Sequence, residues 1–333
     1  MKHVLVTGGA GYIGSHTCKA LVAAGCIPVT FDDFSTGHRS LVKWGPSIQG
    51  DIRDTAAIKA ALLQFRPFAV IHFAGRIAVG ESVTHPAVHY DINVGGTLSL
   101  LTAMQQTGID RIVFSSSAAV YGLPQTDLIA ESHVLAPINP YGRTKAIVET
   151  ILADYRSAYG LRSVALRYFN ASGADPDGQT GESHDPETHL IPLAIAATDG
   201  RQAVLSVFGD DYPTLDGTCM RDYIHVCDLA DAHVVALTLL DRSECPPAVN
   251  VGTGRGYSVA QVIEAVERVT GRSVNRVVAP RRPGDPASLV ADCTLLRQIS
   301  TWRPGRSDIS GIVSTAWKWH WHAKRTVIEG AAS

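Results

Sequence analysis

Short apolar runs that stop at glycine or acidic residues alternate along the first half of the chain with longer stretches whose apolar residues recur at helical spacing. Val4-Leu5-Val6 leads straight into a glycine cluster, the pattern of a strand buried on both faces of a parallel sheet. The same reading predicts a helix over residues 13–24, a strand over 27–31 ending at Asp32-Asp33, a helix near 55–65 and a strand over 69–72. A long helix near 86–107, a strand over 111–115, a helix from 140 to about 158 and a strand over 163–167 complete the series. Repeated strand–helix alternation implies an α/β fold, a doubly wound parallel sheet with helices on both faces. After Asn170 the texture changes. Residues 171–187 are rich in Gly, Asp, Pro and Ser and predict a long loop of the kind that often carries function. Elements over 190–198, 203–208 and 258–269 predict a smaller, discontinuous mixed α/β domain.

The glycines give the sheet a ligand. Gly8, Gly11 and Gly14, spaced GxxGxxG, follow the first strand and open the first helix. The first permits a tight turn, the second admits a pyrophosphate and the third lets helix pack on strand, as in a Rossmann-like dinucleotide site. Free N–H groups at the helix start would face the anion. Asp32 ends the second strand, where a carboxylate can bind both ribose hydroxyls. It would repel a 2′-phosphate with no adjacent arginine to neutralise it, so NAD is favoured over NADP; Asp33 is the neighbouring alternative. Asp51-Ile52 stands at a third strand end, either as an adenine contact or with Asp51 capping the next helix. On this division residues 1–170 are mainly the coenzyme domain and 171–333 mainly the substrate domain, with segments near 220–250 returning to the first.

Composition narrows the class. The 333-residue chain carries a net charge of −2, which suggests neither a nucleic-acid nor an anionic-membrane surface. No apolar run approaches the roughly 20 residues that span a bilayer, and a strand beginning near Lys2 leaves no room for a signal peptide. Six cysteines without CxxC spacing read as reduced thiols of a cytosolic protein. No metal site is expected; Trp317, Trp319, Trp321, His320 and His322 gather near the C-terminus, but without a carboxylate or third ligand.

Tyr141 and Lys145 supply the chemistry. Asn139-Pro140 has the form of a helix start, which sets the two side chains one turn apart on one face, with Val148, Leu152 and Tyr155 continuing that stripe into the core. A phenol titrates near pH 10 and is a poor base at neutrality. A lysine ammonium about 5 Å away at an effective dielectric near 20 contributes roughly 3 kcal/mol, about two pKa units. That would bring Tyr141 toward working pH, where a general base belongs. Ser115-Ser116-Ser117 places hydroxyls at a strand end, and Ser117 could donate to the reacting oxygen; turn hydrogen bonding is the plain alternative.

These segments resemble the extended short-chain dehydrogenase/reductase family and, within it, the UDP-glucose 4-epimerases, which are NAD-dependent. The resemblance runs from Val4-Leu5-Val6-Thr7-Gly8-Gly9-Ala10-Gly11-Tyr12-Ile13-Gly14 through His72-Phe73-Ala74-Gly75, Ala78-Val79-Gly80-Glu81-Ser82 and Ser115-Ser116-Ser117-Ala118-Ala119-Val120-Tyr121-Gly122 to Tyr141-Gly142-Arg143-Thr144-Lys145. It continues in Arg167-Tyr168-Phe169-Asn170, Asp211-Tyr212-Pro213-Thr214 and Arg221-Asp222-Tyr223-Ile224-His225-Val226. It implies a bound NAD that takes and returns the sugar C4 hydride while Tyr141 exchanges the 4-hydroxyl proton, Ser117 shares a hydrogen bond with that oxygen, and Lys145 tunes the phenol and holds the nicotinamide ribose. The 4-keto sugar turns its other face between the two transfers, so glucose and galactose configurations interconvert.

The same resemblance places Tyr12, Ile13, Phe73, Ala74, Gly75, Asn93, Ser115, Tyr168 and Phe169 along the cofactor. Asn170, Arg221 and Arg282 would meet the UDP diphosphate, where guanidinium groups suit phosphate oxygens. Asp285 would meet the ribose, and Leu205, Val207 and Phe208 the uracil. His189, next to Leu190, stands where many members carry asparagine, and its charge would vary with pH. Leu289 borders the hexose pocket where other members have tyrosine or a smaller residue, and Ile77 replaces a lysine. UDP-N-acetylhexosamine or UDP-pentose 4-epimerases are the near alternatives, a non-catalytic NAD sensor the remote one; Ala118-Ala119 lack the Asp-Glu pair of dehydratases. His16, His72 and His225 are expected to make structural hydrogen bonds. The implied assembly is a cytoplasmic homodimer through the helices near 86–107 and 140–158.

Overall fold

The computed structural model describes residues 1–199, 204–282 and 284–331, and of 322–331 the main chain only. Its first part runs β1 (His3–Thr7), α1 (Tyr12–Ala23), β2 (Ile27–Asp32), β3 (Ser47–Gln49), α2 (Thr55–Phe65), β4 (Ala69–His72), α3 (Val79–Thr84), α4 (Pro86–His89), α5 (Gly96–Thr107), β5 (Arg111–Ser115), α6 (Pro140–Tyr159), β6 (Arg162–Tyr168) and β7 (Asn170–Ser172). The second continues with α7 (Leu190–Ala197), β8 (Leu205–Phe208), β9 (Met220–His225), α8 (Val226–Leu239), β10 (Ala248–Val251), β11 (Gly256–Ser258), α9 (Val259–Thr270), β12 (Arg276–Ala279), β13 (Ser288–Leu289), α10 (Thr294–Ile299) and α11 (Ile309–Ala331).

Seven parallel strands form the main sheet in the order β10-β6-β5-β4-β1-β2-β3. This is the predicted doubly wound α/β fold. Alternate residues of each strand face opposite sides, so Val4 and Val6 join the core under α1 and α8 while Leu5, Val70 and Phe114 join the core under α2, α5 and α6. Both faces are apolar, which is why these strands read as continuous hydrophobic runs. Chain order reverses between β1 and β4, opening a crevice at their carboxyl ends where ligands of such sheets bind.

Beside this sheet lie a small sheet of β11, β9, β13 and β7 and a parallel pair of β8 and β12. Their own core joins α7, α9 and α11 through Ile191, Ile195, Val262 and Ile312. β10 pairs with β6 in the main sheet, and α8 packs on α1, whereas β9 belongs to the small sheet. The strand expected over 203–208 is Leu205–Phe208, with Ala203 outside the described residues. The long helix expected over 86–107 contains a π turn at Tyr90–Gly95 between α4 and α5. No helix among the described residues is long and apolar enough to cross a membrane, and all six cysteines are free thiols.

Candidate active site

The glycine loop is built by close approach. Gly8 sits at φ +73, and a Cβ on it would lie 2.6 Å from the Ala74 nitrogen, in the loop after β4. A Cβ on Gly14 would fall 2.2 Å from the Gly8 carbonyl oxygen. Gly11 caps α1 with no side-chain hydrogen bond and no acidic residue in the first turn, so the N–H groups of Tyr12, Ile13 and Gly14 begin the helix without a carboxylate partner. Such an end suits the pyrophosphate of a dinucleotide, and the loop residues present fit NAD.

Asp32, 8% exposed, accepts the Ala10 N–H at 3.0 Å and the Phe34 N–H at 2.9 Å, and so ties the glycine loop to the end of β2. Burial raises its pKa against the pull of those two N–H groups. Asp33 is exposed and accepts the Ser35 N–H. The helix-capping alternative for Asp51 fails. Asp54 caps α2, accepting from the Ala56 and Ala57 nitrogens, because the helix starts at Thr55; Asp51 pairs with Arg53 instead. Ile52 is buried against Gly96.

Thr7 accepts the main-chain N–H groups of Phe73 and Ala74, which anchors that loop beside Gly8, and Phe73 packs its ring on His233 at 4.6 Å. Asn93, on the π turn, spends its amide on the main chain of Arg76 and on Thr144 of α6, with its oxygen under Gly75. It therefore braces the coenzyme-side loop against the helix that bears Tyr141. Ile77 is exposed.

Asn139 caps α6 through the Gly142 N–H, with Pro140 in the first turn, as the sequence predicts. Tyr141 and Lys145 are 7% and 3% exposed. The Lys145 ammonium donates to the Ser115 carbonyl at 2.8 Å and lies 5.8 Å from the centre of the Tyr141 ring. Ser117, two residues past β5, caps a short 3-10 turn by accepting the Ala119 N–H at 3.1 Å and is close enough to Tyr141 to act on its pKa. Ser115 shares a 2.7 Å hydrogen bond with the Tyr168 hydroxyl. Phe169 is buried and packs with Ala118.

The electrostatics correct one expectation. The Tyr141 pKa is raised: burial dominates, the nearby Ser117 hydroxyl opposes it, and Lys145 does not offset it. Burial likewise lowers Lys145 to about 8, with Glu149 pulling the other way. The sequence argument counted the ammonium and omitted the cost of sealing both groups from water.

Behind these side chains lies a buried network that the sequence reading missed. Arg167 pairs with Glu149 at 2.6 Å, both about a tenth exposed. Glu149 accepts from Ser116 at 2.5 Å, and Arg167 donates to the Tyr121 hydroxyl, which donates to Asn250 of β10. The available signal was spacing: Glu149 follows Lys145 by one helical turn, and Ser116 adjoins Ser117.

The substrate-side residues gather on the smaller lobe. Arg221 of β9 is ion-paired with Asp285 and donates to the Met220 carbonyl. Arg282 stacks over the Phe208 ring at 4.0 Å. Leu205 and Val207 are buried on β8. Asn170 starts β7 opposite Tyr223, and Leu289 stands beside Arg221 in the β13–β9 register. Leu289 also packs on the cluster of Ala118 and Phe169, so it adjoins the Ser117 segment. His189 precedes Leu190 at the start of α7 and contacts Glu182; burial lowers its pKa less than Glu182 raises it. His16, His72 and His225 hydrogen-bond Tyr12, Thr7 and Thr315. Trp317 and Trp321 meet edge to face at 5.3 Å, and the His322 side chain lies outside the described residues.

Comparison with known proteins agrees with this geometry. Residues 4–252 match the model of the NAD dependent epimerase/dehydratase family. A UDP-glucose 4-epimerase of Rhizobium meliloti (strain 1021) is 54% identical over 319 residues, 96% of this chain and 97% of that protein. The crystal structure of UDP-glucose 4-epimerase from Brucella ovis in complex with NAD superposes with a TM-score of 0.93 at 53% identity, covering 96% of this chain and 98% of that one. The enzyme from Bifidobacterium longum in complex with NAD+ and UDP does so at 0.92 and 37% identity, covering 97% and 99%. The chain belongs to the NAD dependent epimerase/dehydratase family.

Proposed function

We propose that this protein interconverts UDP-glucose and UDP-galactose by epimerising C4 of the hexose. The observation that carries the reading is Tyr141 and Lys145, one turn apart on α6 and buried, with Ser117 beside the phenol just past the end of β5. NAD, when bound, would supply a reversible hydride acceptor and a positive ring. The cleft residues that fit it are the Gly8–Gly14 loop, Asp32 or Asp33, the Phe73–Gly75 loop and Lys145. Burial keeps the Tyr141 phenol protonated in the protein alone, so it needs nearby positive charge to serve as a base. That charge would have to come chiefly from the coenzyme's positive ring, because Lys145 does not offset the burial of the phenol. Tyr141 would then take the 4-hydroxyl proton and, once the 4-keto sugar has turned, return it to the same oxygen, with Ser117 hydrogen-bonding that oxygen; the change of face belongs to the C4 hydride. Ala118-Ala119 beside Ser117 offer no acid or base for eliminating water.

Arg221, Arg282 and Asn170 would receive the diphosphate, Asp285 the ribose and Leu205–Phe208 the uracil, while Leu289 and His189 would border the sugar and its phosphate. The division into a coenzyme domain of mainly residues 1–170, with segments near 220–250 returning to it, and a substrate domain of mainly 171–333 follows the same reading. Exposed Val83, Val88, Leu98 and Ile147 on α3 to α6 suit a second copy of the chain, and six free thiols suit the cytoplasm. Incubation with UDP-galactose tests the function. UDP-glucose should appear with no coenzyme added; net accumulation of NADH instead would mean a dehydrogenase. A panel of UDP-N-acetylhexosamines and UDP-pentoses defines the sugar range.

A further inference from the structure

Among the described residues, one side-chain cluster has the composition of a metal centre; it lies outside the coenzyme machinery and touches the nucleotide-sugar site only through His189, whose Nδ1 turns to the cluster and whose Nε2 is left for the sugar phosphate. Glu182, His184, Glu187 and His189 present one donor atom each, all within 4.8 Å of one another. His184 Nδ1 lies 3.0 Å from Glu182 Oε1 and 3.9 Å from Glu187 Oε1, His189 Nδ1 lies 3.7 Å from Glu187 Oε1, and His189 also meets Glu182 Oε1. Four donors at 2.0–2.1 Å around a tetrahedral ion stand about 3.3 Å apart. The observed separations reach up to 4.8 Å on one side of that edge and, for His189 with Glu182, fall well below it on the other, so closing the shell takes side-chain shifts of about 1 Å.

One further observation favours an ion over a plain set of charged pairs. His184 Nδ1 is buried and has no aligned hydrogen-bond partner, despite the carboxylate 3.0 Å away. Two carboxylates and two neutral imidazoles around a divalent ion sum to zero charge, and this mixed N and O set suits zinc among the divalent metals.

We propose that Glu182, His184, Glu187 and His189 bind one divalent transition-metal ion of the zinc class. Four protein ligands fill the shell, so the ion is structural and takes no part in the redox step. It staples the long loop after β7. That loop is already fastened to α11 by Trp319 donating to the Glu182 carbonyl at 2.7 Å, and His184 packs its ring against Tyr12 of α1. His189 begins α7. The ion therefore joins the helix of the glycine loop to the lobe that carries the substrate residues.

The test uses the untagged full-length protein with its bound coenzyme. Zinc affinity is measured by competition with a chromophoric chelator, and cobalt(II) is added as a visible-absorption probe of tetrahedral geometry. The wild type should bind about one zinc per chain and give the intense bands of four-coordinate cobalt. His184→Ala and the near-isosteric Glu187→Gln should each weaken zinc binding at least tenfold, while circular dichroism verifies that both are folded. Wild-type protein that binds no zinc, or two folded variants that both stay within tenfold of it, would overturn the site. These readouts do not depend on turnover, so they stand or fall apart from the epimerase reading.

Discussion

Lys145 and Arg221 are both cations assigned to the ligands of one cleft, yet the fold secures them differently. Lys145 is 3% exposed and its ammonium is held by a main-chain carbonyl, that of Ser115 in the central sheet. Arg221 donates to the carbonyl of its own neighbour Met220, but its other guanidinium nitrogen is held by a side chain, the partly exposed carboxylate of Asp285. The same contrast separates the two lobes. Tyr141 and Ser117 are placed by a capped helix and a strand end, with the Glu149–Arg167 pair buried behind them. Arg282 is placed by stacking on Phe208. A main-chain anchor fixes geometry to a fraction of an ångström, which proton exchange needs. A side-chain ion pair can trade its internal partner for a phosphate oxygen, which recognition needs. The difference makes the first lobe sensitive in rate and stability and the second sensitive in affinity.

The largest effect should follow the loss of one oxygen from the fixed lobe. Tyr141→Phe should lower turnover roughly 10²–10⁴-fold while bound coenzyme, measured by absorbance after denaturation, stays near the wild-type amount. Turnover close to wild type would remove Tyr141 as the base. Next comes stability. Glu149→Gln strands the Arg167 guanidinium in the interior and should cost about 3 kcal/mol in urea unfolding, because both partners are about a tenth exposed. A loss under about 1 kcal/mol, the scale of a surface pair, would mean that the network is not what fixes this lobe.

In the adaptable lobe, Arg221→Ala should raise KM for UDP-galactose about 10–100-fold, the equivalent of 1.5–3 kcal/mol for a bond to a charged group, with a smaller change in kcat. A kcat loss as large as that of Tyr141→Phe would erase the contrast. The buried histidines give a weaker, graded effect. Burial lowers His16 and His233 to about 4 and His72 to about 3. Their folded pKa values lie below the unfolded value near 6.5, so the stability they contribute is complete above about pH 6.5 and drains away as pH falls toward 4. Each contributes a slope of up to about 1.4 kcal/mol per pH unit. Urea unfolding near pH 7, 5.5 and 4.5 measures it; a flat profile would contradict the neutral, buried state. The smallest change should come from Leu289→Tyr, which narrows the space beside Ala118 and should penalise UDP-N-acetylgalactosamine a few-fold more than UDP-galactose. Equal penalties would dismiss Leu289 as a selectivity element.

What could be read from the sequence follows the same divide. β4, β5 and α2 fall where the apolar runs and their turn residues put them, because a strand buried on both faces and a capped helix are local patterns. The Asn139 cap and the Tyr141–Lys145 spacing are local as well. Missed features depend on distant chain. The π turn at Tyr90–Gly95 leaves the apolar rhythm of its helix unchanged and shows itself only in how Asn93 reaches Arg76 and Thr144. The cap of α2 is Asp54 and not Asp51 because a turn closed by the Asp54 N–H on the Asp51 carbonyl comes first and the helix starts only at Thr55. Tyr141 and Lys145 titrate according to burial by neighbours that spacing does not reveal. The Glu182–His189 loop reads correctly as irregular, but its donors converge only through the fold.

The central claim is that Tyr141 exchanges only the oxygen-bound proton, while the hydrogen on C4 never meets solvent. UDP-galactose deuterated at C4, converted in ordinary water and examined by mass spectrometry, tests this most directly. The account predicts UDP-glucose that keeps the deuterium at C4; deuterium lost to water would contradict it.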